Sequence, residues 1–484
     1  MADHPPVRLP LRAPQDGHEG LEAEPQNGVV ACVDFGSTFT KAALVDIRTG
    51  ELIATAGHPT TVGTDVLDGW DACLAALAAV DPRAVRAEVL ACSSAGGGLR
   101  IAVVGNEALV TAEAGRRVAL SSGGRVVHVA SGGLSGPAVR SMRASSPDVV
   151  LLVGGTDGGN AEVLLSCAST LAQARWRGPV VVAGNVEAQP AVAGLLDASP
   201  TPYVMADNVL PRIGVLTPGP ARAAVREMFL RHVIGGKHLS SRTDFTAMVR
   251  GCTPDVVLSA VELLARGVGE PGAGDVVVVD VGGATTDVHS AVEPDPSELD
   301  REGGLSRRVV ADLPVSRTVE GDLGMRWSAV PTVEAGIDAG LVEDAARLRG
   351  AATLRRADPG FLPGDDAARY DDELIATVAV GVALRRHAGR RRVFYGPGGR
   401  AVEQTGKDLR EVDVLVGSGG VLRHGGTGLA ERVLASVTGD SATDAWQLPR
   451  APRMVVDHDC VLVAAGLLAS EHPLAAHALL ARLR

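Results

Sequence analysis

The sequence predicts an α/β chain of at least two domains with related cores. Three observations carry that expectation. The chain has 484 residues, too many for one compact core. Two acidic, glycine-containing loops recur far apart, each directly after a short Val-rich run. Strand-like and helix-like patterns alternate through residues 148–216.

The first loop follows Val29-Val30-Ala31-Cys32-Val33 and reads Asp34-Phe35-Gly36-Ser37-Thr38-Phe39-Thr40-Lys41. Ala42 to Ile47 is expected to return as a second strand. Arg48 to Glu51 turns, and Leu52 to Ala56 forms a third strand. The second loop follows Val276–Val279 and reads Asp280-Val281-Gly282-Gly283-Ala284-Thr285-Thr286-Asp287. In each, a buried strand delivers a carboxylate. Glycine lets the backbone approach an anion. Hydroxyls and exposed N–H groups then bond phosphate oxygens. Two such loops facing each other would hold a Mg²⁺-nucleotide between two carboxylates.

Trp70 to Val80 has helical spacing, and Val89 to Cys92 reads as a strand running into Gly96-Gly97-Gly98. Residues 148–216 read as an embedded α/β unit: a strand at Val149–Val153, a helix at Ala161–Arg175 and a strand at Val180–Ala183. Its loop Gly154-Gly155-Thr156-Asp157-Gly158-Gly159-Asn160 is open to two readings, an anion or partner site and a plain strand-to-helix turn. Thr253 as N-cap and Pro254 at the first position start a helix that reaches Arg266. Gly267 to Gly274 reads as a linker. Arg307 to Leu313 looks strand-like, and helices follow to about residue 388. Val461 to Ala469 is a small-residue helix in which Gly466 permits close approach of a neighbour. The expected division is a flexible tail over 1–28, a first domain over 29–270, a second over 271–440 and a C-terminal connecting region over 441–484.

Composition narrows the function. A net charge of -11 disfavours nonspecific nucleic-acid binding. Hydrophobic residues make up 46% of the chain but aromatics only 3%, so Ala, Val and Leu must fill the core. Six scattered cysteines show no metal-ligand spacing, which points to buried thiols in a reducing cytoplasm. No apolar run is long enough for a transmembrane helix. His128, His289, His424 and His458 lie at no ligand spacing and read as surface or packed histidines.

DFGSTFTK and DVGGATTDV resemble the two phosphate loops of the actin-like/sugar kinase/heat-shock ATPase superfamily. Val414-Leu415-Val416-Gly417-Ser418-Gly419-Gly420-Val421-Leu422 resembles its adenosine loop. The resemblance implies a two-domain actin-like (ribonuclease H-like) ATPase fold with a nucleotide cleft between the domains, and ATP with Mg²⁺ as cofactors. Asp34 and Asp280 would hold Mg²⁺ through water. Asp287 would orient the attacking water or assist the metal, completing a catalytic set of Asp34, Asp280 and Asp287. Gly36, Ser37 and Thr38 would wrap the phosphates from one side, and Gly282, Gly283, Ala284 and Thr285 from the other. Gly417, Ser418, Gly419 and Gly420 would pass beneath the nucleoside. Lys41 has two readings, a phosphate contact and a surface lysine.

A more specific resemblance covers nearly the whole chain. DFGSTFTK, VGGTDGGN, VVVAGN, RTVEGDLGMR and DVGGATTDVHS are similar to the MutL or GlmL family of glutamate mutase accessory proteins, which is unrelated to the mismatch-repair protein of that short name. It implies an ATP-dependent reactivating or chaperone-like partner of an adenosylcobalamin-dependent carbon-skeleton mutase. Any cobalamin would belong to the partner, since the sequence has no DxHxxG pattern. Within RTVEGDLGMR, Arg317, Glu320 and Asp322 are candidates for a coupling loop or partner surface, beside the plainer reading of a structural turn. A small-molecule kinase and a nucleotide-dependent scaffold are the competing functions. No sugar-kinase acceptor motif is found, and the chain lacks the iron–sulfur cysteines of dehydratase activators.

Overall fold

The computed structural model describes residues 28–107, 110–293, 313–396, 399–404, 406–439 and 446–484. The expected tail lies almost wholly outside the described residues, as do residues 307–312 of the strand-like segment. The chain forms two compact units, Met1–Arg48 with Leu52–Cys252, and Thr49–Glu51 with Thr253–Arg484.

In the first unit, β1 (Val29–Phe35), β2 (Phe39–Asp46), β3 (Glu51–Pro59) and β4 (Glu88–Ser93) belong to one sheet. They are followed later in the chain by β5 (Leu99–Val104), β6 (Gly124–Ala130), β7 (Val149–Leu152), β8 (Val180–Val182), β9 (Tyr203–Met205) and β10 (Val249–Cys252). The first sheet has the order β10-β4-β1-β2-β3. β1 runs antiparallel to β2 and parallel to β4. Every residue of β1 is buried, so its Val-rich run is the centre of the sheet. The helix Val66–Val80 begins where the Asp65 carboxylate accepts from Leu67 N–H at 2.9 Å.

The remaining strands of this unit form a separate sheet, β6-β5-β7-β8-β9, whose neighbours all run parallel. This is the flavodoxin-like strand order. The embedded unit thus starts at Leu99 and not near residue 148. Of its first two strands, β6 escapes the sequence pattern because it is an edge strand with only its end residues buried, whereas β5 is buried at all but Arg100. Such an edge strand lacks the continuous apolar run of a central one.

The second unit holds a two-residue hairpin of β11 (Gly267–Val268) and β12 (Glu270–Pro271), then β13 (Val276–Val281), β14 (Thr286–Ala291) and β15 (Val315–Glu320). A hairpin of β16 (Arg391–Gly396) and β17 (Gly399–Gln404) follows, then β18 (Val414–Ser418) and β19 (Arg453–Val456). The main sheet is ordered β15-β14-β13-β18-β19. β13 is antiparallel to β14 and parallel to β18, so this sheet repeats the connectivity of the first. Both cores therefore share one topology.

The unit border falls between Cys252 and Thr253, not near residue 270. The helix Thr253–Arg266 packs on β13, β14 and the helix Val461–Leu468, so it belongs to the second unit. The Gly267–Gly274 stretch, expected as a linker, instead supplies the small hairpin. Residues from 446 onward also fold into this unit and form no separate region. Gly466 makes the helix pairing possible, since a Cβ there would lie 2.1 Å from the Val256 carbonyl oxygen. Replacing Gly466 with Val should destabilise the second unit by about 1–3 kcal/mol or more through overpacking. Urea unfolding measures this, and a neutral result would show that the helices can separate freely.

A buried polar network sits beneath the sheet. His387 Nε2 meets Ser290 Oγ at 2.8 Å, and its Nδ1 meets Thr318 Oγ1 at 3.1 Å. Burial, with the Lys407 charge nearby, lowers the pKa of His387 to about 3. The unfolded imidazole titrates near 6.5. The unfolded chain therefore binds more protons between those values, and stability falls as pH drops through 6.5 towards 3. From pH 7 to pH 5 the loss should be about 2 kcal/mol. Urea melts at the two pH values test it, with His387→Gln expected to flatten the dependence.

Candidate functional site

Both acidic loops close in the same way. Gly36 N–H donates to Phe39 C=O at 3.2 Å, and Gly282 N–H donates to Thr285 C=O at 2.9 Å. In each, a Cβ on the glycine would crowd that same carbonyl, at 2.6 Å and 2.9 Å. The turn therefore selects glycine two residues after the Asp. Its closure also sets the strand register, pairing Asp34 with Lys41 and Asp280 with Asp287. Directly paired antiparallel residues share a face of the sheet. Lys41 thus lies on the face of Asp34, and Asp287 on the face of Asp280. The two loops are alike in backbone and opposite in charge at the second position.

In the first unit, Asp34 is buried and its Oδ1 accepts from Cys92 Sγ at 3.7 Å. Ser37 and Thr38 are exposed at the tip, and Lys41 is half-buried. Thr60 braces the loop, its N–H donating to Thr38 C=O at 2.8 Å and its hydroxyl to Gly36 C=O at 2.9 Å. Thr60 was invisible to motif reading because it lies beyond the third strand.

The second unit brings Asp280, Asp287, Gly282–Thr285 and Gly417–Gly420 together. Asp280 pairs in register with Ser418 of β18. Gly419, at φ 109°, runs so close to β13 that a Cβ would sit 2.2 Å from Val281 C=O. Ser418 is buried, and its hydroxyl accepts from Arg423 Nη2 at 3.2 Å. Gly420 opens the short helix Gly420–His424 onto free space. A hollow of about 380 Å³ lies beside this helix, lined by Arg423, His424, Thr427, Glu431 and His458 among others.

The carboxylates here differ in how they are held. Asp287 Oδ1 accepts from Arg317 Nε at 3.0 Å and Nη2 at 2.5 Å, and Oδ2 accepts from Thr285 Oγ1 at 3.3 Å. Burial pushes its pKa up, the Arg317 charge opposes the rise, and Asp280 adds to it. Asp457, which the sequence reading missed, caps the helix Val461–Leu468 by accepting from Val461 N–H at 2.8 Å and Leu462 N–H at 3.3 Å. Burial pushes its pKa up as well. Asp280 is half-buried and, among the described residues, has no hydrogen-bond or ion-pair partner. Asp280 is therefore the carboxylate with free oxygens for a hydrated cation.

The RTVEGDLGMR segment is part of this loop's support. Met325 N–H donates to Gly282 C=O at 2.9 Å, and Arg326 N–H to Gly283 C=O at 2.8 Å. Ser328 Oγ donates to Ala284 C=O at 2.6 Å. Arg317 is spent on Asp287. Glu320 and Asp322 share Arg386, at 2.6 Å and 2.7 Å. The charges expected for a partner surface thus have partners inside the unit. The Gly154–Asn160 loop is likewise tied down. Asp157 accepts from Asn208 Nδ2 at 2.8 Å and Val186 N–H at 3.2 Å, and Gly158 N–H donates to Glu187 at 2.8 Å. These bonds favour the structural-turn reading. The histidine expectation is met by His289, buried on β14, whose pKa burial lowers well below its usual value.

A duplicated five-stranded core, with an acidic turn between the first two strands of each copy, defines an actin-like, ribonuclease H-like fold of two domains. The chain belongs to the MutL protein family, whose model matches residues 30–483. Protein MutL of Clostridium tetanomorphum is 36% identical over 448 residues, covering 91% of this chain and 96% of the relative. Among solved structures, the nucleotide-free acetone carboxylase is similar at TM-score 0.40 and 15% identity, over 91% of this chain and 70% of that one. Ethanolamine utilization protein EutJ of Carboxydothermus hydrogenoformans is similar at TM-score 0.26 and 12% identity, over 93% and 89%. The strand order, not these likenesses, defines the fold. No described helix is long and apolar enough to cross a membrane.

Arg317→Met should cost about 3–5 kcal/mol, because it leaves the Asp287 carboxylate buried without its counter-charge. The double variant Arg317→Met/Asp287→Asn should recover much of that loss. Chemical denaturation of the three proteins checks this, and additive losses would mean the pair is not coupled.

Proposed function

We propose that this protein is a Mg²⁺-dependent ATPase that serves as accessory protein to an adenosylcobalamin-dependent carbon-skeleton mutase such as glutamate mutase. One observation carries the ATP part: two turns of identical closure, each holding an Asp at the same register, with a glycine loop beside the second. Family membership supports the mutase as partner.

The residues present fit a hydrated Mg²⁺ and a nucleoside triphosphate. Asp280 has free oxygens, Ser37 and Thr38 expose hydroxyls, and Gly420 faces open space. Mg²⁺ usually takes one or two carboxylates and keeps several waters. Asp34 and Asp280 would hold it through those waters. When bound, the ion would neutralise charge on the phosphates. Gly36, Ser37, Thr38 and Lys41 would bind phosphate oxygens from the first loop, and Gly282 to Thr285 from the second. Asp287, fixed by Arg317 and Thr285, would orient the attacking water. Phosphoryl transfer to water needs mainly such positioning, so no strong base is required. Gly417 to Gly420 and the adjoining hollow would take the nucleoside. ATP turnover can act on a partner only if that partner distinguishes the nucleotide states.

The test is ATP hydrolysis by the purified protein with Mg²⁺, alone and with a cobalamin-dependent mutase inactivated by its own turnover. We expect hydrolysis, its stimulation by the mutase and recovery of mutase activity, all lost in Asp34→Asn. Phosphate transfer to a metabolite with no response to the mutase would replace this reading with a kinase.

A further inference from the structure

The second phosphate loop is wired to the outer helices of its unit through a buried ionic chain. Arg326, whose backbone holds Gly283, reaches Asp372 with Nη2 at 3.3 Å and Nη1 at 3.5 Å. Asp372 lies on the helix Asp366–Ala388 and is buried. Its Oδ1 also accepts from Arg355 Nε at 2.5 Å. Arg355, on the helix Ala345–Ala357, is 1% exposed. It donates to Ala351 C=O at 2.9 Å and Ala368 C=O at 2.8 Å, and lies 4.9 Å over the Phe361 ring. One side chain thus ties two helices and the loop joining them.

The two arms of Asp372 are unequal. The Arg355 arm is short and wholly buried, and a buried charge cannot lose its partner cheaply. The Arg326 arm is longer, and its side chain is 15% exposed. Arg326 is therefore the adjustable member, and it is the one in contact with the loop. Gly324 keeps the segment pressed on that loop, since a Cβ there would lie 2.7 Å from both Gly283 C=O and the Ala284 carbonyl carbon. A shift of Gly283 must be answered at Arg326, and hence at Asp372.

We propose that Arg326 and Asp372 are positioning residues for the second phosphate loop, and that through Arg355 they report its occupancy to the helix Ala345–Ala357. This rests on the nucleotide reading given above. Coupling is reciprocal, so loosening the chain weakens phosphate binding, and phosphate binding steadies the helix.

The experiment uses the full chain, with Mg·ADP binding followed by calorimetry and amide hydrogen exchange followed over residues 345–357. In the wild type, nucleotide binds and slows exchange there. Asp372→Asn should bind about tenfold more weakly and lose that slowing, while Arg326→Lys keeps most of both. If Asp372→Asn does not fold, Arg326→Met is expected to give the same two losses, because the Arg355–Asp372 pair stays intact. Bound nucleotide with unchanged exchange in the wild type overturns the relay alone. A folded variant that is less stable but binds as tightly as wild type reduces the chain to a structural role. Failure of the wild type to bind any nucleotide removes the underlying reading and this one with it.

Discussion

The rest of the molecule depends on one local hydrogen bond, made twice. A glycine N–H two residues after the Asp closes onto a carbonyl three residues further on. That closure fixes where the second strand begins, and a strand displaced by one residue would turn every side chain to the other face. With the closure in place, β1 and β13 deliver Asp34 and Asp280 from buried strands. The same register puts Lys41 and Asp287 opposite them. One backbone device thus yields two loops of unlike charge at the second position.

Around the second loop the acidic groups are divided by what already holds them. Asp287 has Arg317 and Thr285, and Asp457 has two helix N–H groups. Asp280 keeps its oxygens free among the described residues. Buried carboxylates without partners are costly, and Asp457, the most deeply buried of the three, has both oxygens held by helix N–H groups. The loop backbone is held with equal care, since Met325, Arg326 and Ser328 each take one of its carbonyls.

Sequence reading reached the elements whose cause is local. The two acidic turns, the three-strand start, the glycine strand end at Val414–Gly420 and the close approach at Gly466 all depend on residues within a few positions. It failed where the cause is distant. The helix Thr253–Arg266 joins the second unit because Val256 meets Gly466, and nothing near residue 253 says so. The embedded sheet begins at Leu99, but edge strand β6 is too exposed to show a pattern. The Arg317–Asp287 pair and the Arg326–Asp372–Arg355 chain join residues that only the fold brings together. RTVEGDLGMR stood out as charged and glycine-bearing, yet Arg317 pairs with Asp287, Glu320 and Asp322 pair with Arg386, and the segment's backbone holds the loop beside it.

In the proposed function, both acidic loops bind a single nucleotide. Calorimetric titration of Mg·ATP into the wild type, Asp34→Asn and Asp280→Asn tests it most directly. We expect one nucleotide per chain, with binding weakened by either substitution alone. Binding that survives unchanged in one of the two variants would contradict a shared site.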